Sequence, residues 1–457
     1  MSNFKILFCL HHFLPEWLAG TEMYVLALAK YLRNNKVSVI VLIPNFGKSK
    51  TEEYIYESVR VIKYAENSNE DRNMILGKVK PQGLPVFLDI VKEVSPDIIH
   101  FHELAPGRGI NIFHVEACHA IGIPIVLTFH LSHYSCFSGD LFYRKNTLCH
   151  GEIHVGRCTK CAFAHKGLNN LTGNLLKSSA MLLYNAGINT TKWPSSLSTA
   201  LAFPFVIEQI QANLEKLAAI SQKIVVLTNW YEKILLKNGV PKDKLVRISQ
   251  GTIGDLSSIN QIHNSVMLPI KIVFVGRISP LKGLHILISA IKSLNRSSVE
   301  LDIYGNEKDA DYVEYWKHQT KGLSNIRWKG QIQSGRVVQT IQKYHILCLP
   351  STFSEMSPLV IQEAFAAGLP VLASNVYGNS EQIDNEINGW LFKYNDVNDL
   401  TQKLHQLIAK PSLIEDARLH IPAVKSFSKV AAQHLRLYES ILNKKNTNIA
   451  DPFFNNS

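Results

Sequence analysis

The sequence predicts an α/β protein with two doubly wound domains. Short continuous apolar runs recur along the chain, as expected for parallel strands that are buried on both faces. Amphipathic stretches of helical period lie between these runs. The length of 457 residues is also more than one hydrophobic core usually serves. Because parallel strands end at one edge of a sheet, we expect binding residues in the loops that follow strands.

The first domain is predicted to span residues 1–252, and residues 253–268 are polar and are predicted to form a linker. An irregular Cys- and His-rich insertion with one or more helices interrupts the first domain at about 132–198. Its predicted strands are Phe4–Leu10, Val37–Ile43, Val59–Tyr64, Asp97–His102, Ile123–Phe129, Lys223–Leu227 and Leu245–Ile248. Its predicted helices are Thr21–Asn34, Pro85–Val94, Ile110–Ile121, Phe205–Ser221 and Tyr231–Asn238.

The second domain is predicted at 269–427, followed by a helix at 428–443 and a disordered tail at 444–457. Its predicted strands are Lys271–Val275, Glu300–Tyr304, Ile326–Lys329, His345–Pro350 and Pro370–Ala373. Its predicted helices are Leu284–Ser293, Tyr312–Lys321, Val337–Lys343 and Leu359–Ala367.

Composition limits the class of protein. Hydrophobic residues make up 46% and charged residues 19%, and no window reaches the roughly 18–20 apolar residues of a membrane span. The N-terminal stretch lacks the pattern of a signal peptide, so we expect a cytoplasmic protein. The net charge of +11 indicates a solvated basic surface or attraction to anionic substrates or lipid at the inner membrane face. Nucleic acid is a disfavoured partner, because the chain has no recognised binding motif.

Residues 349–374 hold the most informative pattern. We expect Ser357 to cap a helix whose first residue is Pro358, which would make the helix N-terminus an anion site. Glu355 precedes this helix and Glu363 lies on it. Carboxylates accept hydrogen bonds from hydroxyl groups. Phosphate at the amides together with hydroxyls at the acids predicts a sugar nucleotide.

The segment Phe274–Gly283 (FVGRISPLKG) is a second candidate, placed between a strand and a helix. Gly276 permits close approach of the backbone to a ligand. Arg277 and Lys282 can both turn toward one anion, and a diphosphate suits a guanidinium with an ammonium. The alternative is that both are solvated surface cations.

These segments resemble the motifs of family-4 retaining glycosyltransferases with the GT-B fold. FVGRISPLKG is similar to their F-x-G-R-x-x-x-x-K-G signature, and Glu355 to Glu363 is similar to their E-x7-E element. The N-terminal LAGTEMYVLALAK resembles their glycine loop, although Ala19 replaces one glycine. YGNSEQI departs from their Gly-Gly-x-Pro-Glu. The resemblance implies two Rossmann-like domains facing a cleft, a nucleotide-sugar donor in the second and an acceptor in the first. It also implies that the last helix crosses back to the first domain.

The resemblance also implies the residue roles. Arg277 and Lys282 would bind the donor diphosphate, Glu363 the ribose and Glu355 the transferred sugar. His130 would face the sugar from the first domain, and no metal cofactor would be required for catalysis. The remaining donor-binding positions line the pocket or let the backbone approach the donor: Gly20, Gly276, Met356, Ser357, Pro358 and Leu359.

Four cysteines in the insertion, Cys136, Cys149, Cys158 and Cys161, follow the pattern C-x12-C-x8-C-x2-C. The last pair has the spacing of a zinc knuckle, so a structural Zn²⁺ is one prediction. Free thiols and an iron–sulfur cluster are alternatives. Nearby histidines could replace a cysteine as ligands: His150, His154 and His165. Some members of the family also resemble this sequence in having a Cys-rich insertion.

The predicted function is transfer of a hexosyl group from a nucleotide-diphosphate sugar to a glycan or lipid-linked glycan, in cell-surface polysaccharide assembly. Two alternatives stay open. One is a sugar-nucleotide epimerase or phosphorylase of the same fold, and the other is a non-catalytic glycan-binding protein.

Overall fold

The computed structural model describes residues 4–449 except 69–71, 76–78, 106–108, 194, 254–264, 308 and 334. The chain divides into two compact units. The first contains Met1–Ser249 and Ser428–Ser457, and the second contains Gln250–Phe427. Most of the predicted linker at 253–268 lies outside the described residues.

The first unit is built on a mostly parallel sheet of eight strands in the order β10-β9-β6-β5-β1-β2-β4-β3. A small antiparallel hairpin, β7–β8, lies in the insertion. The strands are β1 Lys5–Cys9, β2 Ser38–Phe46, β3 Glu52–Tyr56, β4 Val59–Glu66, β5 Ile98–Phe101, β6 Ile125–Phe129, β7 Phe142–Tyr143, β8 Thr147–Leu148, β9 Lys223–Val226 and β10 Leu245–Arg247. Strand β3 was not predicted, because it is a largely exposed antiparallel edge strand without an apolar run.

The helices of the first unit follow the predicted alternation, and the insertion is more helical than its sequence suggests. They are α1 Gly20–Asn34, α2 Arg72–Ile75, α3 Leu84–Val94, α4 Ile112–Ala120, α5 Val155–His165, α6 Asn170–Asn185, α7 Ser196–Leu201, α8 Phe203–Ile220 and α9 Asn229–Lys237. Helices α5, α6 and the start of α7 fall within the insertion.

The second unit has a parallel sheet of six strands in the order β13-β12-β11-β14-β15-β16. The strands are β11 Ile270–Val275, β12 Val299–Tyr304, β13 Ile326–Gly330, β14 Ile346–Leu349, β15 Val371–Ser374 and β16 Gly389–Phe392. The helices are α10 Leu284–Lys292, α11 Ala310–Gln319, α12 Val337–Ile341, α13 Leu359–Ala366, α14 Val397–Ala409 and α15 Ser412–Arg418.

The central strands of the second sheet are buried on both faces. In β14, Ile346 and Cys348 belong to one hydrophobic core, whereas Leu347 and Leu349 belong to the other. Successive side chains of a strand point to opposite faces, so a strand between two cores needs an unbroken apolar run. This is the physical reason why the runs in the sequence predicted the strands.

The last helix, α16, spans Phe427–Ile449 and packs on the first unit. His434 shares a 2.5 Å hydrogen bond with Tyr24, and Tyr438 shares one of 2.7 Å with His100. The helix extends to Ile449, and the disordered tail predicted from residue 444 stays a prediction. Residues 443–449 contain no glycine or proline to end a helix. Residues 450–457 lie outside the described part.

Candidate active site

Two loops meet at the point where the strand order of the second sheet reverses. The chain passes from β11 outward to β12 and β13, then returns to place β14 on the other side of β11. The loops that follow β11 and β14 are therefore neighbours, at the position where open α/β sheets bind ligands. The backbone N–H of Thr352 donates to the carbonyl of Leu281 at 2.8 Å and ties the loops together.

Gly283 makes this close approach feasible. It has a φ of 68°, and a Cβ atom there would lie 1.7 Å from the carbonyl oxygen of Pro350. No other residue can combine this left-handed conformation with this contact unless the backbone moves. The glycine of the sequence motif is thus explained by packing between the two loops.

An ion pair joins the loops at the centre of the site. The Nζ of Lys282 donates to Oε1 of Glu355 at 2.6 Å, and the Oγ of Ser351 donates to the same oxygen at 2.6 Å. The Lys282 and Glu355 side chains are only 16% and 7% exposed. The ring of Phe353 lies 5.0 Å from the ammonium and adds a cation–π contact. Ser351 and Phe353 were missed by sequence analysis.

Arg277 is placed differently from Lys282. Its side chain is exposed, and it forms no ion pair with any residue in the described part of the chain. Gly276 lies before it, and Gly305 packs so closely that a Cβ there would be 2.0 Å from the Gly276 carbonyl oxygen. The structure therefore offers one half-buried cation that is paired with Glu355 and one exposed cation on the same loop.

The segment after Glu355 enters helix α13 one residue later than expected. The helix begins at Leu359, and Pro358 rather than Ser357 is the N-cap, without a side-chain capping bond. Ser357 was expected to cap because serine usually does so, but here Pro358 retains an extended conformation. Met356 and Pro358 are buried, whereas Ser357 and Leu359 are half-buried.

Gly378 supports this segment and was also missed as a site residue. Its φ is 84°, and a Cβ atom would lie 2.0 Å from the carbonyl oxygen of Glu355. In the sequence, the glycine of the divergent YGNSEQI segment could have indicated this role. Although that segment lacks the expected proline, its glycine lets the chain pack directly against the Glu355 backbone.

Glu363 lies on α13, and its side chain is partly accessible. Protein atoms nevertheless surround its carboxyl group, and the resulting desolvation raises the pKa to about 7. Glu363 and Glu355 therefore differ in environment. Glu355 is paired with a cation, whereas Glu363 forms no ion pair with any residue that the structure describes.

His130 follows β6 in the first unit and is buried. Burial lowers its pKa to about 3, so the imidazole is neutral at physiological pH. Its Nε2 shares a 3.2 Å hydrogen bond with Nδ1 of His102, and Tyr24 meets its ring edge-on at 5.1 Å. Gly20 is the exposed first residue of α1, and a Cβ atom there would have no neighbour within 4 Å.

A buried histidine and tyrosine network extends from His130 into the first unit. The His102 and His100 rings lie 3.9 Å apart, and His100 Nε2 shares a 2.7 Å hydrogen bond with Thr128. Burial, followed by the neighbouring histidines, lowers the pKa of both His100 and His102. The two histidines of DIIHFH were the sequence signal for these residues, although their contact with α16 could not be predicted.

The four cysteines of the insertion line one cavity together with His165. Within the described ranges, no three His, Cys, Asp or Glu side chains already stand in an arrangement that could hold a metal ion. The same part of the chain contains no helix with the length and apolarity needed to cross a membrane.

Both units match known families. Residues 18–150 match the model of Glycosyltransferase Family 4, and residues 257–421 match that of Glycosyl transferases group 1. The chain belongs to these glycosyltransferase families. The resemblance expected from the motifs is confirmed for the family, while the Cys-rich subgroup stays a prediction.

Curated relatives of the glycosyltransferase align over part of the chain. It is 28% identical over 236 residues to the phosphatidyl-myo-inositol mannosyltransferase of Mycobacterium leprae, covering 47% of this chain and 62% of the relative. It is 27% identical over 146 residues to glycogen synthase of Mycobacterium tuberculosis, covering 32% and 35%. The chain thus spans less than two thirds of either relative.

Solved structures agree with the predicted fold. HepE from Anabaena, in complex with UDP and glucose, superposes with a TM-score of 0.57 at 14% identity, covering 97% of this chain and 100% of that one. Sucrose-phosphate synthase from Thermosynechococcus elongatus gives a TM-score of 0.65 at 16% identity, with coverage of 97% and 100%. The GT-B fold of the glycosyltransferase is confirmed.

Replacing Lys282 by Met is expected to lower the free energy of unfolding by about 3–5 kcal/mol, because Glu355 would stay buried without its cation. Urea unfolding measures this loss. Lys403→Met is the matched control, since its partner Glu386 is 63% exposed and such pairs contribute about 0–1 kcal/mol. Equal losses in both variants would contradict the assigned burial of the Lys282–Glu355 pair.

Proposed function

We propose that this glycosyltransferase transfers a hexosyl group from a nucleotide-diphosphate sugar to a glycan or lipid-linked glycan, in cell-surface polysaccharide assembly. The observation that carries the proposal is the Lys282–Glu355 pair at the strand-order reversal of the second unit. It combines a phosphate-binding cation and a hydroxyl-binding carboxylate within 2.6 Å. A sugar phosphate presents both kinds of partner on adjacent atoms.

The proposed chemistry uses the two cations of the β11 loop. Cleavage of the anomeric bond leaves negative charge on the departing diphosphate and positive character on the sugar ring. Arg277 is exposed and free to move onto the diphosphate, and Lys282 would share its protons between Glu355 and a phosphate oxygen. Cations beside the diphosphate stabilise the negative charge that develops on it. The proposed reaction therefore needs no divalent metal, which an assay without added Mg²⁺ or Mn²⁺ tests.

The carboxylates and main chain would bind the rest of the donor. In the proposal, Glu355 accepts hydrogen bonds from the transferred sugar and Glu363 accepts them from the ribose. The first turn of α13 adds backbone amides and the positive end of a helix dipole. Backbone groups around the donor come from the short loop segments already described: Gly20, Gly276, Met356, Ser357, Pro358 and Leu359.

We assign His130 to the transferred sugar as a neutral imidazole. Its lowered pKa prevents it from adding a positive charge beside an oxocarbenium-like sugar. We further propose retention of the anomeric configuration by front-face displacement. Proton NMR of the anomeric centre in the product distinguishes retention from inversion.

The comparisons suggest which donors to try first. HepE was solved in complex with UDP-glucose, so UDP-sugars come before GDP- and ADP-sugars in the proposed screen. The screen tests the function directly, because an epimerase, a phosphorylase and a binding protein would not transfer the sugar to an acceptor.

Replacing Arg277 by Met is expected to lower kcat by about 10²–10³, the usual effect of removing one group that stabilises transition-state charge. Folding should be unaffected, since the side chain is exposed. Steady-state assays with the preferred donor measure the change. Arg296→Met is the control, because Arg296 is an exposed arginine elsewhere in the same unit. A fully active Arg277→Met enzyme would contradict the proposed role of Arg277 in binding the diphosphate.

Uridine binding should strengthen as the pH rises through about 7, because Glu363 then becomes a carboxylate that accepts hydrogen bonds from the ribose. Below that pH the carboxyl group is protonated and this contribution is lost. Calorimetric titration with uridine, which has no titrating phosphate, measures the trend. Glu363→Gln should abolish the pH dependence, whereas Glu314→Gln on the surface of α11 should keep it. If uridine binding to the Glu363→Gln variant still depended on pH, the assignment of Glu363 to the ribose would be wrong.

We also propose that the protein binds an anionic membrane surface through α6. Leu171, Leu175 and Leu182 lie on one face of this helix and are 73%, 64% and 72% exposed. The chain carries a net charge of +11, which favours anionic lipid.

Replacing these three leucines by Ser should therefore reduce sedimentation with phosphatidylglycerol vesicles, because the apolar face is lost. Leu419→Ser is the control, since Leu419 is 76% exposed in the other unit. Unchanged sedimentation of the triple variant would argue against this surface.

A further inference from the structure

The four cysteines of the insertion come together from three separate elements of the first unit. Cys136 follows the short helical turn Ser132–Tyr134, and Cys149 follows the β7–β8 hairpin. Cys158 and Cys161 lie three residues apart on α5, so they share one face of that helix. All four line one cavity of about 30 Å³. A cavity of this size holds about one water molecule or one ion.

The neighbouring histidines are not available as ligands. The Nδ1 of His165 lies 3.5 Å from Asp140, and its Nε2 lies 3.1 Å from the carbonyl oxygen of Phe142, which accepts a hydrogen bond from it. His154 is half exposed beside Glu152 and does not line the cavity, and neither does His150. The structure thus reduces the alternatives left open by the sequence to the four cysteine sulfurs.

Backbone N–H groups already point at two of the sulfurs. The N–H of Arg144 donates to Sγ of Cys161 at 3.2 Å, and Gly139 and Leu141 provide backbone hydrogen bonds to Cys136. Donors of this kind stabilise negative sulfur and orient it as a ligand.

The backbone around these donors is held in uncommon conformations. Leu141 and Arg144 have φ values of 56° and 55°, although neither is glycine. Left-handed conformations of larger residues carry a cost and cluster at ligand clamps. Here they turn the loop so that its amides face the sulfurs.

One hydrophobic cluster packs helix α5 of the insertion against α8. This cluster consists of Ala162 and Phe163 of α5 and Phe203 of α8, with a few partly buried neighbours. Polar contacts attach the insertion to α9 and to the residue that follows this helix. Asn238 accepts a hydrogen bond from the N–H of Ile153 at 2.8 Å, and Ser135 donates to Tyr231 at 3.3 Å. Small cores of this kind are commonly completed by a bound metal.

We propose that Cys136, Cys149, Cys158 and Cys161 bind one structural Zn²⁺ as a tetrahedral four-thiolate centre. On binding, four S–H bonds break, four Zn–S bonds form and four protons pass to solvent. The sulfurs must close inward to the usual Zn–S distance of about 2.3 Å, since no three ligand side chains in the described residues are preset at metal-binding positions. Soft thiolates select zinc over magnesium or calcium.

The metal content of the full chain, purified without a histidine tag or chelator, tests the proposal. We expect one zinc per chain by mass spectrometry of the metal. The double variant Cys158→Ser/Cys161→Ser should lose it. His154→Ala and Cys118→Ala should keep it, because neither residue lines the cavity. Iron in place of zinc, a Cys158–Cys161 disulfide, or a metal-free chain with four reactive thiols would each overturn the proposal.

Cobalt provides a measurement that does not depend on whether the cysteine variants fold. Exchange of zinc for Co²⁺ in the wild-type chain should produce the intense visible absorption of a tetrahedral cobalt–thiolate centre. Absence of these bands in a folded cobalt-loaded chain would contradict four-sulfur coordination. Chelation should also expose residues 132–198 to limited proteolysis. Donor binding reports on the second unit separately, so failure of the zinc site and failure of the transferase proposal are distinguishable.

Discussion

The ion pair between Lys282 and Glu355 is the contact on which the candidate site of the second unit depends. Its two members come from loops after β11 and β14, which are neighbours only because the sheet reverses its strand order there. The surrounding residues allow the two loops to pack close together. Gly283 lets the first loop pass Pro350, Gly378 lets the chain pack against Glu355, and Ser351 completes the hydrogen bonding of the carboxylate.

Because the Glu355 side chain is only 7% exposed, this pair affects stability differently from an exposed salt bridge. A charge removed from water is tolerated when its partner and its hydrogen bonds are in place, and each partner is costly to leave alone. The pair therefore holds the two loops in one arrangement. In the proposed complex, a ligand with both phosphate oxygens and hydroxyl groups gives each member of the pair a partner of suitable charge.

Buried polar side chains of the first unit are stabilised in a different way. Burial lowers the pKa of His100, His102 and His130, so these histidines are neutral rather than paired with acids. Their network includes the hydroxyl groups of three residues: Tyr24, Thr128 and Tyr438. His130 is the end of this network next to β6, so its orientation is set by His102. Because α16 supplies His434 and Tyr438, the C-terminal helix contributes to the environment of the central strands.

Sequence patterns predicted elements whose stability is local or follows from burial on both faces. The central strands and the helices between them have such patterns. The sequence patterns did not predict features that depend on contacts with a neighbouring segment. Strand β3 forms by pairing with β4 despite its exposed residues, and α13 starts after Pro358 rather than at it. In the insertion, the sequence revealed the cysteines but not the long helices α5 and α6.

The sequence by itself determined the family, the alternation of strands and helices, and the residue types at the motif positions, because these depend on spacing along the chain. Only the tertiary structure decided which groups meet. It paired Lys282 with Glu355, 73 residues away, and left Arg277 exposed. It also surrounded Glu363 with protein, and it turned four cysteines but no free histidine toward one cavity. Partner choice and desolvation are properties of contacts between distant segments, and spacing along the chain does not contain them.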